Sequence, residues 1–374
     1  MSPVQLPTSR LSSTRGAMVT FWFVVDAFFW IVFLVLEGFD FGVGMLHAVV
    51  GRSEPEQRAA VNTIGPFWDG NEVWLVVAGA LIFAAFPQWY ATMFSSLYLA
   101  LVLVLVALMG RGVSFEYRSK IKDERWTAGW RWSLVIGSTL VPLLIGVALG
   151  DLLAGLPIDK AHQYTGTFFD LLRPYGLWTG LTLVALSLLS GSCFLALKTT
   201  SVVRARAANL APKVGWVASA LVLGFVIWTE TVGSRQAVPS FLDGIAVLSV
   251  VGAAWAAGLE AEGWAFASAL VAMGSTVALI FVNLHPYVMV SSTSPAFSLT
   301  AAGTASPPYS LKVMTVVAVV VTPLVIAYQG WSYWVFRRRL VGPRGPKPDD
   351  SADLTSTSTG ATTAASGGDG GVAT

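Results

Sequence analysis

Two acidic residues lie in the middle of the first strongly apolar segment of the chain. Glu37 and Asp40 are three residues apart in the run EGFDFGVG, so on a helix they share a face. A charged side chain inside a membrane-spanning helix is energetically costly and is therefore a candidate for function. Gly38 and Gly42 are four residues apart, a pattern that permits close approach between helices. The segment is either a carboxylate pair that passes protons, or a tightly packed helix whose acids stay protonated and bond to neighbours.

A second acidic pair, Asp69 and Glu72, opens the next apolar segment in the run PFWDGNEVW. These two side chains also share one helical face. Acids at a helix N-terminus are favoured by unpaired backbone N–H groups and by the helix dipole, and the Asp-x-x-Glu spacing resembles a capping box. The pair is therefore either a helix cap or a mouth at which a carboxylate collects protons from the cytoplasm and passes them inward.

The composition indicates which elements must position these acids. Of 374 residues, 55% are hydrophobic and 12% are charged, whereas a soluble domain carries about 25% charged residues. Most of the chain must therefore face lipid or other apolar helices. The single cysteine, Cys193, cannot form an intrachain disulfide, and the sequence contains no CxxCH haem-attachment motif. We expect no cleavable signal peptide, because the first apolar run is too long for one.

Nine apolar runs reach or approach the roughly 20 residues that a spanning helix needs. We predict spans at about residues 21–49, 67–86, 89–110, 130–150, 174–197, 214–234, 241–259, 263–284 and 312–336.

Positive charge orients these spans, because cytoplasmic loops of membrane proteins are enriched in Lys and Arg. With nine spans, 17 of the 23 Lys and Arg residues fall on one side, near residues 52–58, 111–131, 198–213 and 337–347, and 6 fall on the other. This bias places the N-terminus outside and the C-terminus in the cytoplasm. It also makes residues 111–125 a cytoplasmic segment of mixed charge, expected to bind anionic lipid head groups or to contact another subunit.

Haem ligation was considered from the three histidines, His47, His162 and His285. No two of them fall at facing mid-span positions, so a bis-His haem site is not predicted. A site with one histidine, alone or with a methionine, stays open. Neither a Walker motif nor a GxGxxG fingerprint is present, so nucleotide-driven transport and nicotinamide binding have no support. No metal site and no catalytic residue are predicted in this chain.

Several motifs in one order resemble subunit II of the cytochrome bd quinol oxidases. The resemblance extends from about residue 20 to residue 336. Its motifs are EGFDFGVGM (37–45), PFWDGNEVW (66–74), FAAFP (83–87), RGVSFEYRSK (111–120), SST (291–293), LKVMT (311–315) and YQGWSYW (328–334).

The resemblance implies an all-α polytopic membrane protein of about nine transmembrane helices, in two four-helix bundles plus one peripheral helix. It implies a heterodimer in the bacterial plasma membrane, in which subunit I carries two b haems and haem d and oxidises quinol. Subunit II carries no haem, although related enzymes hold a structural quinone there. Lipids and small accessory subunits are further expected partners, and nucleic acid is not.

The resemblance also assigns roles to the acids. Asp69 is implied to lie on a proton path toward the haem site, with Glu72 beside it and with Glu37 and Asp40 as its intramembrane companions. Protons for the reduction of oxygen to water then come from the cytoplasm.

The predicted organisation has three parts: a polar N-terminal extension (1–20), a transmembrane helical domain (21–340) and a disordered cytoplasmic tail (341–374). Two other functions stay open. A secondary transporter also uses intramembrane carboxylates, but its usual inverted repeats are not visible. A purely structural assembly subunit is the other, and the activity of an Asp69→Asn variant separates it from a proton conductor.

Overall fold

The computed structural model describes residues 8–232 and 240–340. Within these residues, nine helices are long and apolar enough to cross a membrane. The nine are α1 (Thr8–Val50), α3 (Trp68–Ala85), α5 (Tyr98–Tyr117), α6 (Glu124–Ala154), α7 (Pro174–Lys198), α8 (Ser201–Val232), α9 (Phe241–Gly258), α10 (Glu262–Leu284) and α12 (Pro308–Val335). The prediction of nine spans is confirmed.

Shorter elements connect these helices. They are α2 (Glu54–Val61), α4 (Pro87–Ser96), α11 (Ala301–Thr304), two 3-10 helices (Phe168–Leu171 and Pro295–Phe297) and an antiparallel pair of strands, β1 (Tyr287–Met289) and β2 (Leu299–Thr300). Proline stands in the first turn of α4, α7 and α12. A helix loses no hydrogen bond there, because the first N–H groups of a helix have no partner within it.

The spanning helices form the two predicted bundles. One bundle contains α1, α3, α5 and α6, and the other contains α7, α8, α9 and α10. The bundles join mainly through α1 and α6 against α7, and α12 lies at the periphery beside α1 and α3. The predicted arrangement of two four-helix bundles plus one peripheral helix is confirmed.

Glycine permits the close approach at the joint between the bundles. A Cβ atom added to Gly42 of α1 would lie 1.9 Å from the carbonyl oxygen of Ser187 and 2.8 Å from the Cα atom of Gly191, both in α7. The obstacles are backbone atoms, which cannot rotate away as a side chain could. The small-xxx-small pattern at Gly38 and Gly42 therefore has the packing role that its spacing predicts.

Alternate connections meet at the same end of the molecule, as nine alternating spans require. We call one end the Arg-rich end; it contains the C-terminal ends of α1, α5, α7, α9 and α12 and the N-terminal ends of α3, α6, α8 and α10. Ion pairs link these segments, among them Arg118–Glu54 at 3.1 Å, Arg206–Glu56 at 2.7 Å, Arg204–Glu262 at 2.6 Å and Arg339–Glu262 at 2.7 Å.

The opposite end is closed by residues 155–173 and 285–307. Arg173 Nη1 donates to the carbonyl oxygen of Gly155 at 2.6 Å, and Ser306 Oγ donates to that of Ala84 at 2.7 Å. These loops cover the bundle through backbone hydrogen bonds rather than through clustered charge.

Three predicted boundaries differ from the structure. The helix α8 begins at Ser201, whereas the predicted sixth span begins at residue 214. The helix α1 begins at Thr8, so the second half of the predicted N-terminal extension continues the first span. The predicted third span (89–110) is instead α4 followed, after a break at Leu97, by α5, which carries the helix on to Tyr117. Residues 111–117 are therefore helical rather than a loop. The predicted tail, 341–374, lies outside the described residues, as do residues 1–7.

Candidate functional site

The helix α1 holds Glu37 and Asp40 in the interior of the first bundle. Both side chains are completely buried. Glu37 Oε1 lies 2.5 Å from Nη1 of Arg111, which is also completely buried. The guanidinium carbon of Arg111 lies 4.9 Å from the ring centre of Phe41 and 5.4 Å from that of Phe115. Two aromatic rings and a carboxylate thus surround a completely buried positive charge.

Arg111 is the functional residue that the sequence reasoning misplaced. It was assigned to a cytoplasmic segment because the apolar run ends at Gly110. The structure places it inside α5, on the face that points at α1. A buried carboxylate needs a compensating charge, and a buried Arg on a neighbouring span supplies one. The signal that could have found it was the unmatched acid pair at Glu37 and Asp40, which requires a partner somewhere in the bundle.

The helix α3 supplies the outer part of the site. Glu72 Oε2 lies 3.6 Å from the same Nη1 of Arg111, and its side chain is 23% exposed. Asp69 lies almost one turn earlier and is exposed, close enough to act electrostatically on Glu72. Of the two interpretations of this pair, the capping box is wrong: the N-cap residue is Phe67, and no side chain caps the helix. Asp69 still lies in the first turn, where the helix dipole favours an acid.

Asn71 links the buried acids to the peripheral helix. Its Nδ2 donates to Asp40 Oδ2 at 2.7 Å. Its Oδ1 accepts from Gln329 Nε2 at 2.7 Å and from the Tyr333 hydroxyl at 2.8 Å. Gln329 and Tyr333 are four residues apart and share a face of α12, inside the run YQGWSYW. Sequence reasoning noted that run and its motif but did not assign these side chains to the site.

The four predicted residues therefore form one connected chain. It runs from Asp69 at the surface through Glu72 and the guanidinium of Arg111 to Glu37 and Asp40, which interact with each other. The described part of the chain brings one basic group, Arg111, to the carboxyl groups of Glu37, Asp40 and Glu72. Three carboxyl groups around one positive charge are neutral only when two of them carry a proton. Such a cluster can hold a proton and pass it on.

An apolar groove of about 860 Å³ adjoins the outer part of this chain. Asp69 and Glu72 lie in its wall, and the rest is mostly aliphatic and aromatic side chains of α3, α4, α5 and α6, with Trp30 of α1. The groove faces the side of the bundle on which α3 and α5 are largely exposed. Within a membrane, this face meets either lipid or another protein.

The histidines are distributed as their sequence positions predict. His47 is completely buried near the Arg-rich end, whereas His162 and His285 belong to the loops of the opposite end. Within the described residues, His47 therefore lies at the opposite end of the bundle from the other two histidines. In the same residues, no group of three or more His, Cys, Asp or Glu side chains could hold a metal ion.

Fold and site together define an all-α polytopic membrane protein with a chain of buried carboxyl groups in its interior. The sequence profile of the family described as Cytochrome bd terminal oxidase subunit II matches residues 18–336. The chain belongs to this family.

Two curated relatives and one solved structure agree with this assignment. Cytochrome bd ubiquinol oxidase subunit 2 of Bacillus subtilis (strain 168) is 41% identical over 323 residues, which cover 85% of this chain and 96% of that protein. Cytochrome bd-I ubiquinol oxidase subunit 2 of Escherichia coli (strain K12) is 36% identical over 354 residues, covering 84% and 92%. A chain of the bd oxidase structure from Geobacillus thermodenitrificans shares the fold, with a TM-score of 0.70 at 16% identity, covering 86% of this chain and 98% of that one.

Proposed function

We propose that this chain serves as subunit II of a quinol:oxygen oxidoreductase of the bd type, and that it conducts protons from the Arg-rich end toward the site of oxygen reduction. The relatives' names support the first part, since each describes subunit 2 of a ubiquinol oxidase. The observation that carries the second part is the series Asp69, Glu72, Arg111, Glu37 and Asp40, in which Asp69 acts electrostatically on Glu72 and Arg111 contacts both Glu72 and Glu37.

The Arg-rich end is assigned to the cytoplasmic side of the bacterial plasma membrane. Cytoplasmic loops carry the excess of Lys and Arg, and 16 of the 23 such residues belong to segments at this end when the buried Arg111 is left out. The N-terminus is then outside and the C-terminus inside. Asp69, in the first turn of α3, faces the cytoplasmic water, so it can take up protons from the compartment that loses them during respiration.

The individual residues have distinct roles in this mechanism. Asp69 collects a proton from water, and Glu72 receives it one helical turn further in. Glu72 and Glu37 approach the same nitrogen of Arg111, so a proton can move between them while the guanidinium keeps its own charge. Arg111 acts as the fixed counter-charge, because a guanidinium is not deprotonated in proteins. Asp40, held by Asn71, takes the proton next.

The partner that completes the oxidase is proposed to be the haem-bearing subunit I, with two b haems and haem d, and quinol is oxidised there. The histidine positions of this chain support that division. The docking face is proposed to be α3, α5 and α12. Only 6% of the most apolar 18-residue stretch of α12 is buried, against 78% of the corresponding stretch of α7. Hydrogen bonds near both ends of α12 nevertheless hold the helix in place. A structural quinone or lipid in the groove belongs to the same proposal.

The first test identifies the complex. Affinity-purified complex is examined by an optical redox difference spectrum, and its co-purifying chains are identified by mass spectrometry. The proposal requires haem b and haem d bands together with a second large membrane subunit. A chain that purifies folded, alone and without haem contradicts the oxidase assignment and favours a transporter.

The second test addresses proton conduction with an Asp69→Asn variant. The matched control is Glu116→Gln, which removes one negative charge from an exposed position of α5 near the same end. We expect Asp69→Asn to lower the quinol oxidase turnover by about a hundredfold, the lower end of the range for loss of a proton-transferring group, with haem content unchanged. The control should keep wild-type turnover. Loss of haem in Asp69→Asn indicates an assembly role instead, and full turnover indicates a scaffold.

A further inference from the structure

A polar pocket opens at the Arg-rich end, away from the apolar groove that contains Asp69. It has a volume of about 350 Å³ and lies between the α1–α2 connection and the start of α6. Its walls include Arg52, Gln57 and Arg131, and none of its residues lines the groove. Charged and polar groups provide most of the wall, so the pocket is suited to water rather than to lipid tails.

Gln57, in the wall of this pocket, carries a buried hydrogen-bond acceptor. Gln57 is 6% exposed, and its Nε2 donates to the carbonyl oxygen of Gly51 at 3.1 Å. Its Oε1 has no hydrogen-bond partner among the described residues. An amide oxygen that is buried yet lines a polar pocket is a natural acceptor for water.

His47 lies one helical turn before Gly51, to which the Gln57 side chain of this wall is bound. The backbone N–H of Gly51, whose carbonyl oxygen binds Gln57, donates to the carbonyl oxygen of His47 at 3.0 Å. His47 Nδ1 lies 2.7 Å from the carbonyl oxygen of Gly44. A carbonyl oxygen only accepts, so Nδ1 carries the hydrogen, and Nε2 of the neutral ring is left with a lone pair. That Nε2 is buried and has no partner in the described part of the chain.

The same face of α1 continues from His47 to the buried acids. Glu37, Asp40, Gly44 and His47 are spaced by three, four and three residues, so they form one stripe along the helix. A Cβ atom at Gly44 would lie 2.0 Å from Ser138 Oγ, so this glycine brings Ser138 against the stripe.

Ser138 connects the stripe to the ion pair. Its hydroxyl is buried and, within the described residues, has no hydrogen-bond partner. The neighbouring Gly137 packs against Arg111, since a Cβ atom at Gly137 would lie 3.0 Å from Arg111 Cβ. Ser138 thus lies between the turn of His47 and the pair of Arg111 with Glu37.

We propose that the pocket, Gln57, His47 and Ser138 form a second proton entrance within this subunit, which joins the first at Glu37. The inference rests on the proposed function. A proton moves from pocket water to Nε2 of His47 and forms an imidazolium with hydrogen on both nitrogens. The same proton leaves Nε2 for a water held by Ser138 beside Gly44, and a chain of waters carries a proton the roughly 10 Å along α1 from Gly44 to the carboxylate of Glu37. The neutral ring, with its hydrogen on Nδ1, is restored.

The surroundings of His47 favour a short-lived imidazolium. Two guanidinium groups, Arg118 from the end of α5 and Arg131 from α6, are near enough to act on the ring electrostatically. Both repel a positive ring, and Glu54 of α2, which lines the pocket and pairs with Arg118 at 3.1 Å, offsets only part of this repulsion. The proton therefore passes on rather than staying on the histidine.

The test measures the rate of proton uptake by the assembled complex during a single turnover with oxygen. His47→Gln is made in the wild-type background and in the Asp69→Asn background, with the haem spectrum recorded for each. The matched control is His162→Gln, a half-exposed histidine at the opposite end. We expect His47→Gln alone to slow uptake about twofold, and the double variant to be slower than Asp69→Asn by about tenfold or more. The control should match the wild type.

Chemical rescue separates proton transfer from a structural role. In the double variant Asp69→Asn with His47→Ala, added imidazole should restore uptake to the rate of Asp69→Asn alone. The inference is overturned if proton uptake in this double variant stays slow after imidazole is added. It is also overturned if His47→Gln changes the uptake rate neither in the wild-type background nor in the Asp69→Asn background. Should any His47 variant lose its haem bands, Gln57→Leu is used in its place. Uptake by the double variant Gln57→Leu with Asp69→Asn at the rate of Asp69→Asn alone then also overturns the inference. Wild-type uptake in Asp69→Asn, His47→Gln and their double variant contradicts the proposed function itself.

Discussion

Replacement of Arg111 by Met should show how strongly the buried acids depend on their counter-charge. Arg111 and Glu37 are both completely buried, and their closest atoms are 2.5 Å apart. Removal of one partner from a buried ion pair leaves the other charge without compensation, which costs about 3–5 kcal/mol. Methionine fills a similar space between Phe41 and Phe115, so little of this loss comes from a cavity. We therefore expect Arg111→Met to lower the free energy of unfolding by roughly this amount.

The double variant Arg111→Met with Glu37→Gln isolates the charge effect. Denaturant unfolding of the purified complex in detergent, followed by tryptophan fluorescence, is the assay. Removal of both charges should restore much of the stability, because an uncharged pair of similar size is often neutral or better in a buried site. The coupling between the two substitutions should be about 0.5–3 kcal/mol, the range for residues in contact. Strictly additive effects of the two substitutions would refute the reasoning.

Two further predictions concern packing and pH. Gly42→Ala should destabilise the protein by about 1–3 kcal/mol, the usual cost of overpacking, because its Cβ meets the backbone of α7. The control Gly252→Ala, whose added Cβ atom would meet no atom within 4 Å, should not destabilise the protein. Equal thermal stabilities of the two variants would contradict the packing described for Gly42. The backbone N–H of Arg52, together with the guanidinium of Arg206, lowers the pKa of Glu56. Ionised Glu56 therefore stabilises the folded protein above the pKa of about 4.3 that a glutamate has in the unfolded chain. This stabilisation is lost as the pH falls through the lower pKa of Glu56 in the folded protein. Glu56→Gln should therefore be less stable than the wild type at neutral pH, with a gap that closes on acidification; a gap that does not change with pH contradicts this.

The sequence predicts the architecture well because span length and charge placement are local properties. Nine apolar runs produced nine spans, and the sorting of Lys and Arg between two sides matches the clustering of ion pairs at the Arg-rich end. The acid pairs were found for the same reason, since a carboxyl group in an apolar run is visible without a partner. Asp69, Glu72, Glu37 and Asp40 are indeed brought into one chain.

The parts that the sequence did not predict depend on contacts between distant segments. Asn71 binds Tyr333 across 262 residues, and no local spacing contains that information. Arg111 was read as the end of a span because an arginine normally marks one, whereas here it neutralises acids on another helix. The break at Leu97 was also not predicted, since no proline or glycine stands at that position to mark it.

The central claim is that protons reach the oxygen-reducing site through the buried acids of this subunit. Glu37 is the residue at which both proposed entrances meet, so Glu37→Gln tests the claim most directly. Proton uptake by the reduced complex is followed with a pH-sensitive dye after a pulse of oxygen, while the haem bands report electron transfer. We predict uptake slowed by about tenfold or more with intact haem bands, and equally slow uptake in the stabilised double variant with Arg111→Met. Uptake at the wild-type rate in Glu37→Gln would contradict the account.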